Sequence, residues 1–225
     1  MNNIKSIFTG SMFGLGLLLA AGQPAHAVQA VWDGAYTQVG SHYAEWNVFN
    51  DTIPGGTIQD NTPDVSHIGG GTYQVAETTG SAFITSGGNI YSPSSPTAFT
   101  LAAGSLGSGT SNVFLRVGSV GAFDTTLGQS LTGFTLNGVA GAYSQLFNEA
   151  ISGGFGGNEV EGLVSWLGVT HTGSLNIAFN AIGSSVSLDQ LSLDVATVPV
   201  PAAVYLMGSG LAGIAAMARR RQRVV

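Results

Sequence analysis

Residues 173–195, GSLNIAFNAIGSSVSLDQLSLDV, decide the fold of this chain. Three apolar residues of the first half lie two positions apart: Leu175, Ile177 and Phe179. Because successive side chains of a β-strand point to opposite faces, this alternation predicts a strand with one buried face. Between Leu188 and Leu191 the apolar residues change parity. A shift of one residue turns every side chain over, so we expect a bulge or turn at 189–190.

The same alternation recurs outward from this stretch. Segment 112–118, NVFLRVG, and segment 160–169, VEGLVSWLGV, each place apolar residues two apart. The chain holds 34 glycines, and clusters of Gly, Ser, Asn and Pro separate the short apolar runs. Short apolar runs separated by clusters of turn-forming residues are typical of all-β domains. We therefore expect one all-β domain, a β-sandwich, over residues 28–197.

One segment shows helical spacing instead. In AYSQLFNEAI, residues 142–151, five residues recur at i, i+3, i+4, i+7 and i+8: Tyr143, Leu146, Phe147, Ala150 and Ile151. This spacing places them on one face of an α-helix, and the glycine-rich segment 152–157 would end it. The sequence predicts a single short helix here.

The N-terminus has the pattern of a secretory signal peptide. Residues 1–27 contain Lys5, an apolar core and the small-residue site Ala25-His26-Ala27. Signal peptidase recognises Ala25 and Ala27 in this arrangement, and cleavage would follow Ala27. We therefore expect an exported protein.

The C-terminus has the pattern of a membrane anchor. Residues 202–218 contain no charge, and the uncharged run from Val198 would reach about 31 Å as a helix, which is close to the hydrocarbon thickness of a bilayer. Arg219, Arg220 and Arg221 follow at once, with Arg223 two positions further. Since arginines beside a span stay in the cytoplasm, we expect a single transmembrane helix with its C-terminus inside.

Charge separates the middle of the chain from both ends. All 12 acidic residues lie within 28–197, and Arg116 is the one Lys or Arg there, so this part carries 1 − 12 = −11. A negative field of this size repels nucleic acid, which is not expected as a partner. The chain has no cysteine, so disulfides and thiol chemistry are excluded.

The sequence lacks the common hydrolase motifs, so we expect no enzymatic activity. Neither G-x-S-x-G nor H-E-x-x-H occurs. His42, His67 and His171 lie in polar or glycine-rich stretches, which favours exposed loop positions. Asp60, Asn61 and Asp64 form an oxygen-rich segment that lacks the EF-hand pattern, so we expect a turn there, with Pro63 and Asp64 as turn residues.

Two short segments carry candidate ligand faces. Glu159 and Glu161 lie two apart, so on a strand they share a face, where they are either a solvated surface, a glycosidase pair or a Ca²⁺ site. Residues 42–48 place Ala44, Trp46 and Val48 inward. Tyr43 and Glu45 then share the opposite face, which is either a sugar-stacking platform or an ordinary wet sheet face.

The tail resembles a known class of sorting signals. Val198-Pro199-Val200-Pro201-Ala202, the apolar span and the arginine cluster are similar to the PEP-CTERM tail, in its V-P-L-P-A variant, with Val200 in place of Leu. The resemblance implies a Gram-negative envelope, recognition by an exosortase (a membrane transpeptidase) and association with exopolysaccharide. It also implies transient anchoring in the inner membrane, followed by release to the cell surface or extracellular matrix.

The segment 173–195 resembles the last two strands of β-sandwich domains that are common among proteins with this tail. Those sandwiches are similar to jelly-roll carbohydrate-binding modules, so the resemblance implies a jelly-roll-like sandwich. Together these patterns favour a structural or glycan-associated surface protein without catalysis. A secreted glycan-acting hydrolase and a plainly membrane-anchored protein without a glycan role remain the alternatives. No cofactor is expected apart from Ca²⁺.

Overall fold

The computed structural model describes residues 42–51, 58–67, 70–122, 130–151 and 157–198. In these residues the chain forms fourteen β-strands and no helix. They are β1 His42–Trp46, β2 Gln59–Asp60, β3 Val65–His67, β4 Thr72–Glu77, β5 Phe83–Ile84, β6 Ile90–Tyr91, β7 Ala98–Gly104, β8 Gly109–Ala122, β9 Leu131–Leu136, β10 Val139–Ala140, β11 Ala142–Ala150, β12 Asn158–His171, β13 Leu175–Ala181 and β14 Ser187–Thr197. The prediction of an all-β domain is confirmed for this part of the chain.

The strands form two antiparallel sheets. The larger sheet has eight strands in the order β11-β12-β8-β14-β1-β3, with β6 beside β14 and β5 beside β6. The smaller has six strands in the order β10-β9-β13-β7-β4-β2. Buried apolar residues of both sheets form one core cluster, so the sheets pack face to face as a sandwich.

The alternation read from the sequence matches the buried faces. The inward residues of three strands are all buried: Val113, Leu115, Val117, Val160, Val164, Trp166, Leu175, Ile177 and Phe179. In β14 the register with β8 shifts between Leu188 and Gln190, which confirms the bulge expected at 189–190. Because of that bulge, Val186 and Leu188 are buried together with Leu191 and Leu193 despite the change of parity.

The helix predicted over 142–151 is wrong: residues 142–150 form strand β11. This strand pairs antiparallel with β12, and its register shifts between Gln145 and Phe147. A bulge brings apolar residues to spacings that also fit a helix. An isolated helix of ten residues is marginal in water, whereas β11 gains a ladder of hydrogen bonds along β12. Of the glycine-rich segment expected to end this helix, residues 152–156 lie outside the described residues.

A stack of aromatic rings links the two sheets. Phe99 and Phe179 face each other across β7 and β13, with ring centroids 5.1 Å apart. Phe134 stacks on Phe179 at 5.2 Å, and Tyr143 of the larger sheet stacks on Phe134 at 5.8 Å. Stacked aromatic pairs contribute about 0.5–1.5 kcal/mol each beyond the area that they bury.

Gly162 in β12 provides the space for the ring of Tyr143. A Cβ atom at this position would collide with that ring, so we expect Gly162→Ala to lower the free energy of unfolding by about 1–3 kcal/mol. Gly183→Ala is the matched control, since nothing lies within 4 Å of a Cβ there, and it should change stability by less than about 0.5 kcal/mol. Urea unfolding of both variants measures this. If Gly162→Ala were as stable as Gly183→Ala, the Tyr143 ring would move aside without a loss of folding free energy, which would contradict this prediction.

Candidate functional site

A cleft opens at the end of the smaller sheet where β4 and β13 begin and β7 ends. It has a volume of about 790 Å³. Four amide side chains from separate parts of the chain line it, and we call it the amide cleft: Asn61, Gln74, Asn137 and Asn176. Tyr73, Ala102 and Gly104 also line it. No acidic or basic side chain belongs to its described lining, so the cleft is neutral.

Ala102 forms the floor of the cleft between two amides. Gln74 of β4 and Asn176 of β13 both lie directly opposite Ala102 of β7, on the outer face of the smaller sheet. Strands in a sheet are about 4.8 Å apart, so the two flanking strands are separated by about 10 Å. A methyl group between two longer side chains leaves a trough of that width.

Hydrogen bonds hold the amides in place. Gln74 Nε2 donates to Asn61 Oδ1 (2.9 Å). On the other side, Asn137 Oδ1 accepts the backbone N–H of Asn176 (3.0 Å), and the N–H of Asn137 donates to the Asn176 carbonyl (2.8 Å). Asn137 has a φ of +49°, which Asn tolerates better than most residues, and Gly138 follows it in the turn. The side-chain amides of Asn61, Gln74 and Asn137 are therefore oriented before any ligand arrives.

Tyr73 belongs to the lining of this cleft, and its buried hydroxyl group has no hydrogen-bond partner among the described residues. Tyr73 is 8% exposed, and burial raises the pKa of its hydroxyl, which therefore stays protonated. The group lies under Gly71, where a Cβ atom would be only 2.5 Å from the Tyr73 oxygen. An unsatisfied buried hydroxyl costs about 1–3 kcal/mol, which a ligand that reaches it would recover.

The nearby carboxylates bind backbone groups rather than face the cleft. Asp60 accepts the N–H groups of Asn50 (3.0 Å) and Thr62 (2.9 Å). Asp64 accepts those of Asn47 and Val48. Asp64 lies between β2 and β3, which agrees with its interpretation as a turn residue, whereas Asp60 is the last residue of β2. Among the described residues, no group of three or more His, Asp or Glu is placed to hold a metal ion.

The expected wet face of Tyr43 and Glu45 is wrong. Tyr43 is 4% exposed and Glu45 is 8% exposed, and the Tyr43 hydroxyl donates to Glu45 Oε2. Burial, followed by the Glu45 carboxylate, raises the pKa of Tyr43. A buried ring cannot serve as a stacking platform for a sugar. Ala44 and Trp46 are buried as expected, but Val48 is 39% exposed because β1 ends at Trp46.

Glu45 lies in a polar row across the larger sheet. Ser192 is directly opposite Glu45, and Arg116 is directly opposite Ser192 on the next strand. Burial lowers the pKa of Arg116, while Tyr43 and Glu45 act in the opposite direction. Arg116, the one Lys or Arg in residues 28–197, therefore lies near the Glu45 carboxylate on the larger sheet and does not line the cleft.

Glu159 and Glu161 share a face of β12, as predicted, but this face is not uniformly solvated. Glu161 is 1% exposed, and it lies opposite Gly118. Glu159 is half-buried and lies opposite Glu149 of β11. Burial, and then the Glu149 charge, raises the pKa of Glu159. The prediction of a solvated strand face is wrong for Glu161.

His42 and His171 are buried in strands, which overturns the prediction of exposed loops for both. His171 contacts Ser111, but its hydrogen bonds indicate a tautomer that cannot take a proton from the Ser111 hydroxyl. His171 Nδ1 accepts the N–H of Gly173 (3.3 Å), so Nε2 holds the proton and donates to Ser111 Oγ (3.0 Å). A general base must instead accept the serine proton at that nitrogen.

Most residues of the two terminal signals lie outside the described residues: Ala25, Ala27, Pro199, Val200, Pro201, Ala202, Arg219, Arg220 and Arg221. Val198 is described, and its N–H donates to the carbonyl of Thr110 (2.9 Å) at the end of β14. In the part of the chain that the structure describes, no helix is long and apolar enough to cross a membrane.

Comparisons with protein-family models, with curated proteins and with solved structures found no match to this chain.

Asp194 makes the stability of the fold depend on pH. Its side chain is 1% exposed, and it lies opposite Tyr43 on β1 and opposite Phe114 on β8. Burial raises the pKa of its carboxyl group to about 6. An unfolded Asp titrates near 3.9. Between about pH 4 and pH 6 the folded chain therefore keeps a proton that the unfolded chain releases, so stability falls as pH rises through this window.

Asp194→Asn removes this titration. We expect the variant to be more stable than the natural chain above pH 6, by an amount of order 1 kcal/mol, and the difference to shrink toward pH 4. Urea unfolding at pH 4, 5, 6 and 8 measures it. A stability difference that stays constant across these pH values would contradict the assignment.

Proposed function

We propose that this chain is an exported surface protein without catalytic activity, which binds neutral polysaccharide in the amide cleft. The observation that carries this proposal is the chemistry of the cleft, whose lining residues supply four amides, three of them held by hydrogen bonds, one buried tyrosine hydroxyl and no charge. An amide offers both donors and acceptors, as does each hydroxyl of a sugar. An anionic or cationic ligand would find no counter-charge among these groups.

The shape of the cleft also fits such a ligand. Ala102 leaves a trough between Gln74 and Asn176, and a flat sugar ring can lie on a methyl floor while its hydroxyls reach the amides on both sides. The volume of about 790 Å³ is in the range of small-molecule sites and admits more than one ring. The two packed antiparallel sheets, with β13 in one and β14 in the other, support the proposed jelly-roll-like arrangement.

The non-catalytic part of the proposal rests on two arrangements. The tautomer of His171 is unsuited to activate Ser111, and Glu161 is buried away from solvent. Neither group lines the amide cleft. A glycan-acting hydrolase would need an acid and a base or nucleophile beside its ligand.

Export and sorting form the second part of the proposal. The sequence at both ends favours a membrane-anchored precursor, with its sandwich outside and its arginines inside, which an exosortase cuts near Pro199–Ala202. Proline keeps the residue before it out of the helical region, so the Val198–Ala202 motif is an extended substrate. Binding of exopolysaccharide by the released sandwich would hold it in the extracellular matrix.

Affinity electrophoresis in gels that contain dextran, galactomannan or alginate tests the binding. We expect retardation by at least one neutral polymer and none by anionic alginate. The double variant Gln74→Ala/Asn176→Ala should bind about tenfold or more weakly, because two neutral hydrogen bonds contribute about 1–3 kcal/mol. Asn180→Ala is the matched control, since it changes an exposed asparagine on the same face of β13 outside the cleft.

Tyr73→Phe separates binding from stability. It removes an unpartnered buried hydroxyl, so the free protein should be as stable as before or more so, while binding weakens. Equal binding by the natural chain, the double variant and Asn180→Ala would contradict a role for the cleft.

Intact-mass analysis of the protein recovered from its host tests the sorting. We expect a surface form that begins at Val28 and ends near Pro199–Ala202. Changing Arg219, Arg220 and Arg221 to Ser should reduce this form, because the arginines orient the span. A surface form that retains residues 203–225 would leave an ordinary membrane anchor.

A further inference from the structure

The free edges of the two sheets differ sharply in length. Within the described residues, the outermost strands are β3 with three residues, β2, β5 and β10 with two each, and β11 with nine. Short edges, lysines, prolines and β-bulges are the usual protections against unwanted strand pairing. β11 has the sequence AYSQLFNEA, which contains no Lys, Arg or Pro and one charge, Glu149. β11 has one bulge, at Leu146, but it is the one of these five edges that is long enough to pair with a further strand along several residues.

The hydrogen bond of Ile151, just after β11, shows which residues of the strand direct their backbone groups toward β12 and which direct them away. Ile151 donates its N–H to the carbonyl of Gly157 directly opposite (2.9 Å). Opposed pairs in an antiparallel ladder alternate between bonded and non-bonded. Counting back from this pair, Glu149 and Phe147 direct their backbone groups toward β12. Asn148 and Ala150 direct theirs away from the sheet.

The bulge at Leu146 shifts this alternation by one residue. Gln145 lies opposite Gly162 and Phe147 opposite Glu161, so Leu146 is the extra residue. Along β12, bonded and non-bonded residues continue to alternate past the bulge, so Leu163 directs its backbone groups toward β11. Ser144 lies opposite Leu163 and therefore directs its own backbone groups toward β12. The outer edge of β11 therefore presents the N–H and C=O groups of four residues: Tyr143, Gln145, Asn148 and Ala150.

These four residues are symmetric about the midpoint between Leu146 and Phe147. Two antiparallel copies of β11 paired about this point place Tyr143 opposite Ala150 of the second copy, and Gln145 opposite Asn148. In this register, the outward N–H and C=O groups of each copy lie opposite outward N–H and C=O groups of the second copy, so they can form hydrogen bonds. Glu149 lies opposite Ser144 of the second copy rather than opposite another acid, so no like charges are opposed.

We propose that this protein forms a two-fold symmetric dimer in which the β11 strands of two copies pair antiparallel and join their larger sheets. The contact is isologous, so it occupies both open edges at once and stops at two copies. Each copy brings one amide cleft, so a dimer would link two polysaccharide chains. That last consequence rests on the proposed function, whereas the pairing itself does not.

Sedimentation velocity of the purified protein over a range of concentrations tests the dimer. Leu146→Lys places a charge at the centre of the paired strands and should weaken the dimer at least tenfold. Ile182→Lys is the matched control, because Leu146 and Ile182 are both 46% exposed and Ile182 lies on a loop outside β11. A monomer at every concentration up to about 100 µM, or equal weakening by both substitutions, would overturn the proposal.

Hydrogen exchange of the unmodified protein tests the register without a substitution. The amides of Tyr143, Gln145, Asn148 and Ala150 should become protected as the protein concentration rises, while the amide of Ser144 should exchange at one rate throughout. Protection of these four amides that does not depend on concentration would also overturn the dimer. The cleft variant Gln74→Ala/Asn176→Ala should dimerise normally, so a failure of polysaccharide binding and a failure of pairing are distinguishable.

Discussion

The stack of Phe99, Phe179, Phe134 and Tyr143 ties the larger sheet to the smaller one, and the rest of the structure depends on it. The chain has no disulfide, so burial between the sheets must hold the sandwich together. Phe99 and Phe179 sit on the central strands of the smaller sheet, while Tyr143 belongs to the edge of the larger one. The stack therefore fixes both the strands that carry the cleft and the strand that remains open at the edge.

The two faces of the smaller sheet follow from this packing. Its inner residues fill the core, so its outer residues alternate with them and are left to solvent. On that outer face the side chains around the cleft are small or carry amides, as in the row of Gln74, Ala102 and Asn176. The acids that lie close by in the chain bind backbone N–H groups instead. Residues 28–197, with a formal charge of −11, can thus present a neutral cleft.

The cleft and the edge of β11 have complementary consequences. Under the proposed function, a single cleft would attach the protein to one stretch of a neutral polymer, and the two clefts of the proposed dimer would cross-link two polymers with higher avidity. The polar row of Glu45, Ser192 and Arg116 has neither role. It lies within the larger sheet, where Asp194 nearby makes the stability of the sandwich fall with rising pH.

Alternation along single strands could be read from the sequence, because the direction of a side chain on a strand is a local property of the backbone. The buried faces of 113–117 and 175–179 and the bulge at 189–190 were predicted in this way. The signals expected at the two termini are predicted from linear patterns in the same way, and they stay predictions because most of their residues lie outside the described part of the chain.

Only the tertiary structure decided which outward face meets water and which segment finds a strand partner. Tyr43 and Glu45 alternate like a wet face but are buried, and residues 142–150 have helical spacing but pair with β12. The amide cleft joins Asn61, Gln74, Asn137 and Asn176, which are up to 115 positions apart in the chain and belong to no common motif. Contacts of this kind arise from long-range pairing and packing, which override local pattern because they bury far more surface and satisfy more backbone groups.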